Sequence, residues 1–356
     1  MQRSRITLSF LVLISLFTSA TFSVRANESE RDVKVASYNM YLGADLSDIF
    51  FAQSELELVT EVAEAYTDMQ AGLPLERIDE IADQIASGDP DVVALQEVAL
   101  WRFGYPQDPA PAEAVAYDFL QILLDRLAAR GLHYTPVAIQ TNLDAELTGV
   151  FGPESALDVR YTDRLVIIAR ADLSTSRLKI DGSANGTFET LMPVSLLGTT
   201  FYIPRGWTSL DIKHRGKTYR IVNAHLEAFH PFIQFVQASE LLAGPTVTEL
   251  PIILTGDFNS GPTYEPATYS LLVGSGFTDV WTVVGSSGAG NTWPLSEESP
   301  AVIVNPFMRI DHMLTRGNLT LSDMDLLGED PALDLTISQM RPSDHAGLIA
   351  TVVLEP

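Results

Sequence analysis

The sequence predicts an α/β protein: two mixed β-sheets packed face to face with helices outside, a four-layer sandwich. Three observations point there. Strand-like and helix-like segments alternate through the first third of the chain. Short β segments then crowd the middle, which suits mixed sheets better than a purely parallel one. Finally, 46% of the 356 residues are hydrophobic, and no shift in composition marks a boundary, so residues 27–356 read as a single domain.

Each element has its reason. Residues 33–39, VKVASYN, alternate as a strand should and end at Asn39. Residues 54–70 space Val59, Val62, Tyr66 and Met69 as a helix does. A second helix follows Pro74, with Ile78, Ile81, Ala82 and Ile85 on one face, and stops at Gly88-Asp89-Pro90. Residues 91–96, DVVALQ, form an apolar strand with Glu97 at its end. A proline-rich loop leads to a helix near residues 117–130. A strand over 134–139 precedes an expected loop insertion at 140–160, and another strand covers 165–169. Short β segments fill 186–222, the last ending at Asn223-Ala224-His225, and a helix covers 232–243. The apolar run Ile252-Ile253-Leu254 is a buried strand that breaks at Gly256 into Asp257-Phe258-Asn259. After a Gly/Ser/Pro-rich loop over 285–306 come Arg309-Ile310-Asp311-His312, then Ser343-Asp344-His345 and a closing strand.

Residues 1–26 read as a signal peptide. Arg3 and Arg5 precede an apolar run over 6–17, and Ser-Val-Arg-Ala ends in a small-x-small cleavage site after Ala26. The run is short for a transmembrane helix, so the expectation is a secreted or periplasmic protein without stable membrane insertion. The chain contains no cysteine, which excludes disulfides, thiol nucleophiles and thiolate metal ligands. The formal charge of −24 repels polyanions and argues against non-specific nucleic-acid binding, though it leaves room for a local basic groove.

Six strands thus share one layout, an apolar run followed by a polar residue: Asn39, Glu97, Asn223 with His225, Asp257 with Asn259, Asp311, and Asp344 with His345. Read singly, each has a plain explanation. Asp257 and Asn259 equally fit an Asx turn, and a lone histidine is more often packed than catalytic. Together, the ordered set SYN, LQE, NAHLE, GDFN, RID and SDH resembles the endonuclease/exonuclease/phosphatase superfamily, whose members include DNase I-like nucleases, inositol polyphosphate 5-phosphatases and neutral sphingomyelinases. The likeness runs from about residue 35 to residue 353.

The resemblance implies a metal-assisted attack of water on a phosphoester. Glu97 and Asn39 would offer oxygens to Mg²⁺, with Mn²⁺ or Ca²⁺ as substitutes. His345 would be the general base, oriented by Asp344. Asp257 and Asn259 would position nucleophile and phosphate, His225 would donate to a phosphoryl oxygen or the leaving group, and Asp311 would complete the site. Arg164 and Asn223 are candidate substrate contacts, and a surface ion pair explains Arg164 equally well. His312 reads as a site wall, and Trp207 and Trp293 as a rim. No basic cluster with interleaved aromatics marks a nucleic-acid groove, and no lysine cluster would clamp a polyphosphate. The expected activity is an exported, Mg²⁺-dependent phosphodiesterase acting on a phospholipid head group or a nucleic acid. An extracellular nuclease of the same fold is one rival, and a non-catalytic binding protein on this scaffold is another.

Overall fold

The computed structural model describes residues 32–214, 216–286, 288–296, 304–330 and 333–353. The expected signal peptide lies outside them. The first part of the chain gives β1 (Val33–Asn39), α1 (Ser47–Phe51), α2 (Glu55–Ala71), α3 (Pro74–Gly88), β2 (Val92–Gln96), β3 (Leu100–Gly104), β4 (Ala114–Asp118), α4 (Phe119–Ala129), β5 (Tyr134–Gly152) and β6 (Ser155–Arg170). The middle gives β7 (Lys179–Thr187), β8 (Met192–Leu196), β9 (Thr199–Ile203), β10 (Gly206–His214), β11 (Lys217–His225), α5 (Pro231–Ala243) and β12 (Ile252–Asp257). The last part gives α6 (Pro266–Gly274), β13 (Thr278–Asp279), α7 (Trp281–Val284), β14 (Asp311–Arg316), β15 (Thr320–Leu327) and β16 (Gly347–Val353).

Two large mixed sheets result. One runs β15-β16-β1-β2-β6-β3-β4, with β5 also paired to β6; the other runs β13-β14-β12-β11-β10-β7. Each has one parallel pair at its centre, β1 with β2 and β11 with β12. The hairpin of β8 and β9 stands apart from both.

Period-two alternation sorts the core into layers. On β1, Val33 and Val35 face the space between the sheets, while Ala36 and Tyr38 face α2, α3 and α4. On β12, Ile253 faces the inter-sheet space while Ile252 and Leu254 face α5 and α6. The order is therefore helices, sheet, sheet, helices, with three apolar layers between. Helix starts are capped as the sequence allows. The Ser54 side chain accepts from Glu57 N at 3.2 Å, and Asp118 accepts from Leu120 N at 3.2 Å.

One expected element is different. Residues 140–160 are not a loop insertion but most of a long antiparallel hairpin, β5 against β6, whose register shifts near Thr141 and Val150. These shifts interrupt the alternation that identifies a strand from its sequence.

Candidate active site

The polar residues that follow the strands converge at one end of the inter-sheet space. The C-terminal ends of β1, β11 and β12 and the N-terminal end of β14 lie together there. Parity explains which side chains arrive. Asn39, His225, Asp257 and Asp311 share their strands' inward face with Val35, Ile221, Ile253 and Met313. Just beneath the site, the Gln96 amide donates to Asn223 Oδ1 across the sheets at 2.7 Å. Gly256 permits this geometry: its φ is +136°, and a Cβ there would lie 2.0 Å from Ala224 O on the neighbouring strand.

The site opens into a cavity of about 420 Å³ whose lining includes Glu97, Asp163, Arg205, His225, Glu227, Asp257, Asn259, Asp344 and His345. Two of these residues hold left-handed backbone without being glycine, Glu97 at φ +54° and Asn259 at φ +49°. Such conformations cost about 1–3 kcal/mol and persist where surrounding structure fixes them. Here Glu97 accepts from Leu42 N at 2.9 Å, and Asn259 N donates to Asp257 Oδ1 at 2.9 Å.

His345 Nδ1 lies 2.8 Å from Asp311 Oδ2. Its other nitrogen, Nε2, faces Asp257 Oδ2 at 3.7 Å and Asp344 Oδ2 at 3.8 Å. Burial alone would lower the pKa of this imidazole. Asp311, Asp344 and Asp257 together outweigh that and raise it well above the ordinary histidine range. The expected partnership of His345 with Asp344 is therefore corrected: the carboxylate bound to Nδ1 is Asp311. Asp344 instead accepts weakly from Trp293 Nε1 at 3.4 Å.

His225 is the opposite case. Burial, then Arg205, then His345 push its pKa well below the ordinary value. Arg205 Nη1 lies 3.0 Å from His225 Nδ1. A guanidinium only donates, so Nδ1 accepts and the proton sits on Nε2, which faces Asp257 Oδ2 at 3.5 Å. The ring is thus a neutral donor aimed at the centre of the site.

Asn39 departs from its expected role. Its oxygen accepts from Tyr41 N at 3.1 Å, while its amide nitrogen donates to Glu97 Oε1 at 3.2 Å and Asp257 Oδ2 at 3.1 Å. The partners fix the orientation, because a backbone N–H needs an acceptor and two carboxylates need a donor. Asn39 thus ties two acids together and offers them N–H rather than turning its oxygen to a metal. Arg164 and Asn223 are also corrected as substrate contacts. Arg164 lies on the outer face of β6, donating to Val98 O at 2.9 Å and Asp118 Oδ1 at 2.6 Å. Asn223 is buried between the sheets, donating to Leu95 O at 3.1 Å. His312 is no wall: it is buried behind the site, stacked on Phe258, with Nε2 2.8 Å from Ser260 O.

The structure adds residues that the sequence did not single out. Asp163, one position before Arg164, has the parity that faces inward, and it accepts from Asn142 Nδ2 at 3.0 Å. Arg205 lies 3.6 Å from Asp163 and is the one Lys or Arg among the described residues lining the cavity. Counting strand positions back from Leu165 would have separated Asp163 from Arg164. Nothing in the sequence around Arg205 marks it.

The donor set fits a hard divalent cation. Glu97 is raised above the ordinary carboxylate range by burial and then by Asp344, so two acids crowd each other where a positive charge would relieve both. Asp257, Asp311 and His345 also bring ligand atoms within 4.8 Å of one another, although His345 Nδ1 is engaged by Asp311.

A family model described as Endonuclease/Exonuclease/phosphatase family matches residues 36–345. The chain belongs to that family. Members hydrolyse phosphoester bonds, and the chain is accordingly a hydrolase of the phosphoesterase or nuclease type. Solved structures share the fold. A family protein from Bacteroides thetaiotaomicron has a TM-score of 0.58 at 17% identity, covering 91% of this chain and 98% of its own. A mannosyl-6-phosphatase from the same species has a TM-score of 0.55 at 18% identity, covering 90% of this chain and 100% of its own. The human Nocturnin catalytic domain, solved with bound sulfate, has a TM-score of 0.51 at 18% identity, covering 91% of this chain and 95% of its own. No curated protein matches the sequence. At these identities the likeness establishes the two-sheet fold, and the reading of this chain's chemistry rests on its own site.

Proposed function

We propose that this chain is an exported, divalent-cation-dependent phosphodiesterase. The observation that carries the reading is the His345–Asp311 pair, held at 2.8 Å and facing a cavity crowded with carboxylates. Such a pair is what a general base needs: one nitrogen fixed by a carboxylate, the other free to take a proton from water. Asp311 steadies the imidazolium that results. His225, a neutral Nε2–H donor, suits a phosphoryl oxygen or the departing alkoxide. Asp257 sits between the two rings and accepts from Asn39, which fixes its orientation. The added water oxygen stays on phosphorus, the ester P–O bond breaks, and the leaving group departs with that bond's electron pair.

Glu97 and Asp344 are the residues that would hold the cation, and Mg²⁺ suits their hard oxygens. When bound, it would supply charge to offset the phosphate. Export is supported by the leader-like residues 1–26. A diester is favoured over a multiply charged monoester because Arg205 is the one guanidinium or ammonium lining the described cavity.

His345→Ala tests the reading. Turnover of bis(4-nitrophenyl) phosphate with Mg²⁺ should fall by about two to four orders of magnitude while thermal unfolding stays cooperative. Unchanged turnover in that variant would remove His345 from the chemistry.

A further inference from the structure

Beside the catalytic cavity lies a second, smaller hollow of about 50 Å³, tucked under α1. The two share Leu46, Phe50, Leu143 and Tyr161 in their linings, so the small one is a recess that adjoins the large one. Val62 and Trp101 also line it. Among the described residues its lining is aliphatic or aromatic throughout. Trp101 has its indole N–H committed to Leu42 O at 3.0 Å, and its ring packs on Tyr161 with centroids 4.8 Å apart. An apolar recess of this kind favours carbon over water, because a water there gives up hydrogen bonds it makes in bulk.

The two compartments thus differ in chemistry within one substrate's reach. The cavity lining includes the acids, the two imidazoles and Arg205, whereas the described residues lining the recess are hydrophobic. We propose that the recess seats a short alkyl group borne on the substrate's phosphoester. Its occupancy selects apolar phosphodiesters over nucleic acids. This rests on the phosphodiesterase reading above and extends it to the substrate class. The charge of the site points the same way. Among the described residues a nucleic-acid strand would meet a single lining cation, Arg205, where counterion displacement needs several.

The volume sets the scale. A cavity of about 150 Å³ holds a benzene ring, so this recess takes a group of about two to four carbons, and longer chains must continue along the open cavity.

The test is a chain-length series on the unmodified protein. Methyl, ethyl, propyl and butyl 4-nitrophenyl phosphates share one leaving group, so the bond broken and the nitrophenolate released are constant. With Mg²⁺ present, kcat/KM should rise about fourfold per methylene and then level off. A parallel arm uses a short-chain phospholipid below and above its micelle concentration. Equal rates assign the alkyl group to a free small ester, and activation by micelles assigns it to a lipid aggregate. Ala145→Leu, which places extra carbon in the recess, should flatten the series, with thermal unfolding reporting that the fold is kept. A flat series in the unmodified protein overturns the recess as a specificity pocket while leaving the hydrolase reading standing. So does faster cleavage of an oligonucleotide than of the butyl ester. Absence of turnover across the whole series with Mg²⁺, Mn²⁺ or Ca²⁺ overturns the phosphodiesterase reading itself, and the recess proposal with it.

Discussion

Two imidazoles face the same cavity and are driven toward opposite proton affinities. His225 ends β11 of one sheet, and His345 lies two residues before β16 of the other. Both are buried, 2% and 5% exposed, so desolvation pushes both toward neutrality. Their partners decide the outcome. His345 has Asp311 on Nδ1 and two further carboxylates near Nε2, and the acids win. His225 has Arg205 on Nδ1 and a second imidazole nearby, and burial is reinforced. The lesson is that the side chain bonded to Nδ1 assigns each ring its role. A carboxylate makes a ring that takes up a proton, and a guanidinium makes one that keeps its Nε2–H and donates it.

That difference is open to attack from its largest consequence downward. Asp311→Asn should cost about two orders of magnitude in kcat, because the amide can no longer support a charged His345. Asp344→Asn should instead raise the Mg²⁺ concentration needed for half-maximal rate. Steady-state kinetics across a Mg²⁺ titration separates the two, and an exchange of these phenotypes would restore Asp344 as the partner of His345. Arg205→Met should lower kcat by less than Asp311→Asn does, because it acts through the His225 donor rather than on the reacting atoms. Its distinguishing readout is the ¹⁵N spectrum of the His225 ring, which should lose the single Nε2–H tautomer. A purely structural Arg205 would leave that spectrum unchanged.

The smallest effect is on stability in EDTA. The folded-state pKa of His345 is raised above 6.5, so its contribution is complete below that pH and fades as pH climbs through the folded value. The folded-state pKa of His225 is depressed below 6.5, so folding favours the neutral ring. Its contribution is present above that pH and is lost as pH falls toward the folded value. Chemical denaturation of His345→Gln and His225→Gln across mildly acidic to mildly basic pH should therefore change the pH slope in opposite directions. Slopes that change in the same sense would contradict the assignment.

Much of this was legible in the sequence, for a physical reason. A strand that ends in a polar residue on its inward face must deliver that residue to the rim of the inter-sheet space, so Asn39, His225 and Asp257 could be placed before any contact was seen. Asp311, by contrast, opens β14 and His345 precedes β16, against the expected layout of a strand followed by its polar residue. Pairing was not legible. Asp344 adjoins His345 in the chain and comes within 3.8 Å of its Nε2, yet the carboxylate that reaches Nδ1 is 34 residues away, at the start of β14. Strand parity misplaced the charge at the start of the 165–169 strand: Arg164 faces out to Asp118, and Asp163 faces in. The β5–β6 hairpin was hidden by its register shifts. Arg205 lies just before β10 in a stretch with no motif, and only the fold brings it to His225.

One assay decides whether these acids and imidazoles hydrolyse phosphodiesters with a bound divalent cation. The direct measurement is release of 4-nitrophenolate from bis(4-nitrophenyl) phosphate by the purified chain, first in Mg²⁺, then in EDTA, then with Mg²⁺ restored. Turnover that EDTA abolishes and Mg²⁺ restores is expected. Turnover that persists in EDTA, or none with any divalent cation, would overturn the proposed cation-dependent phosphodiesterase.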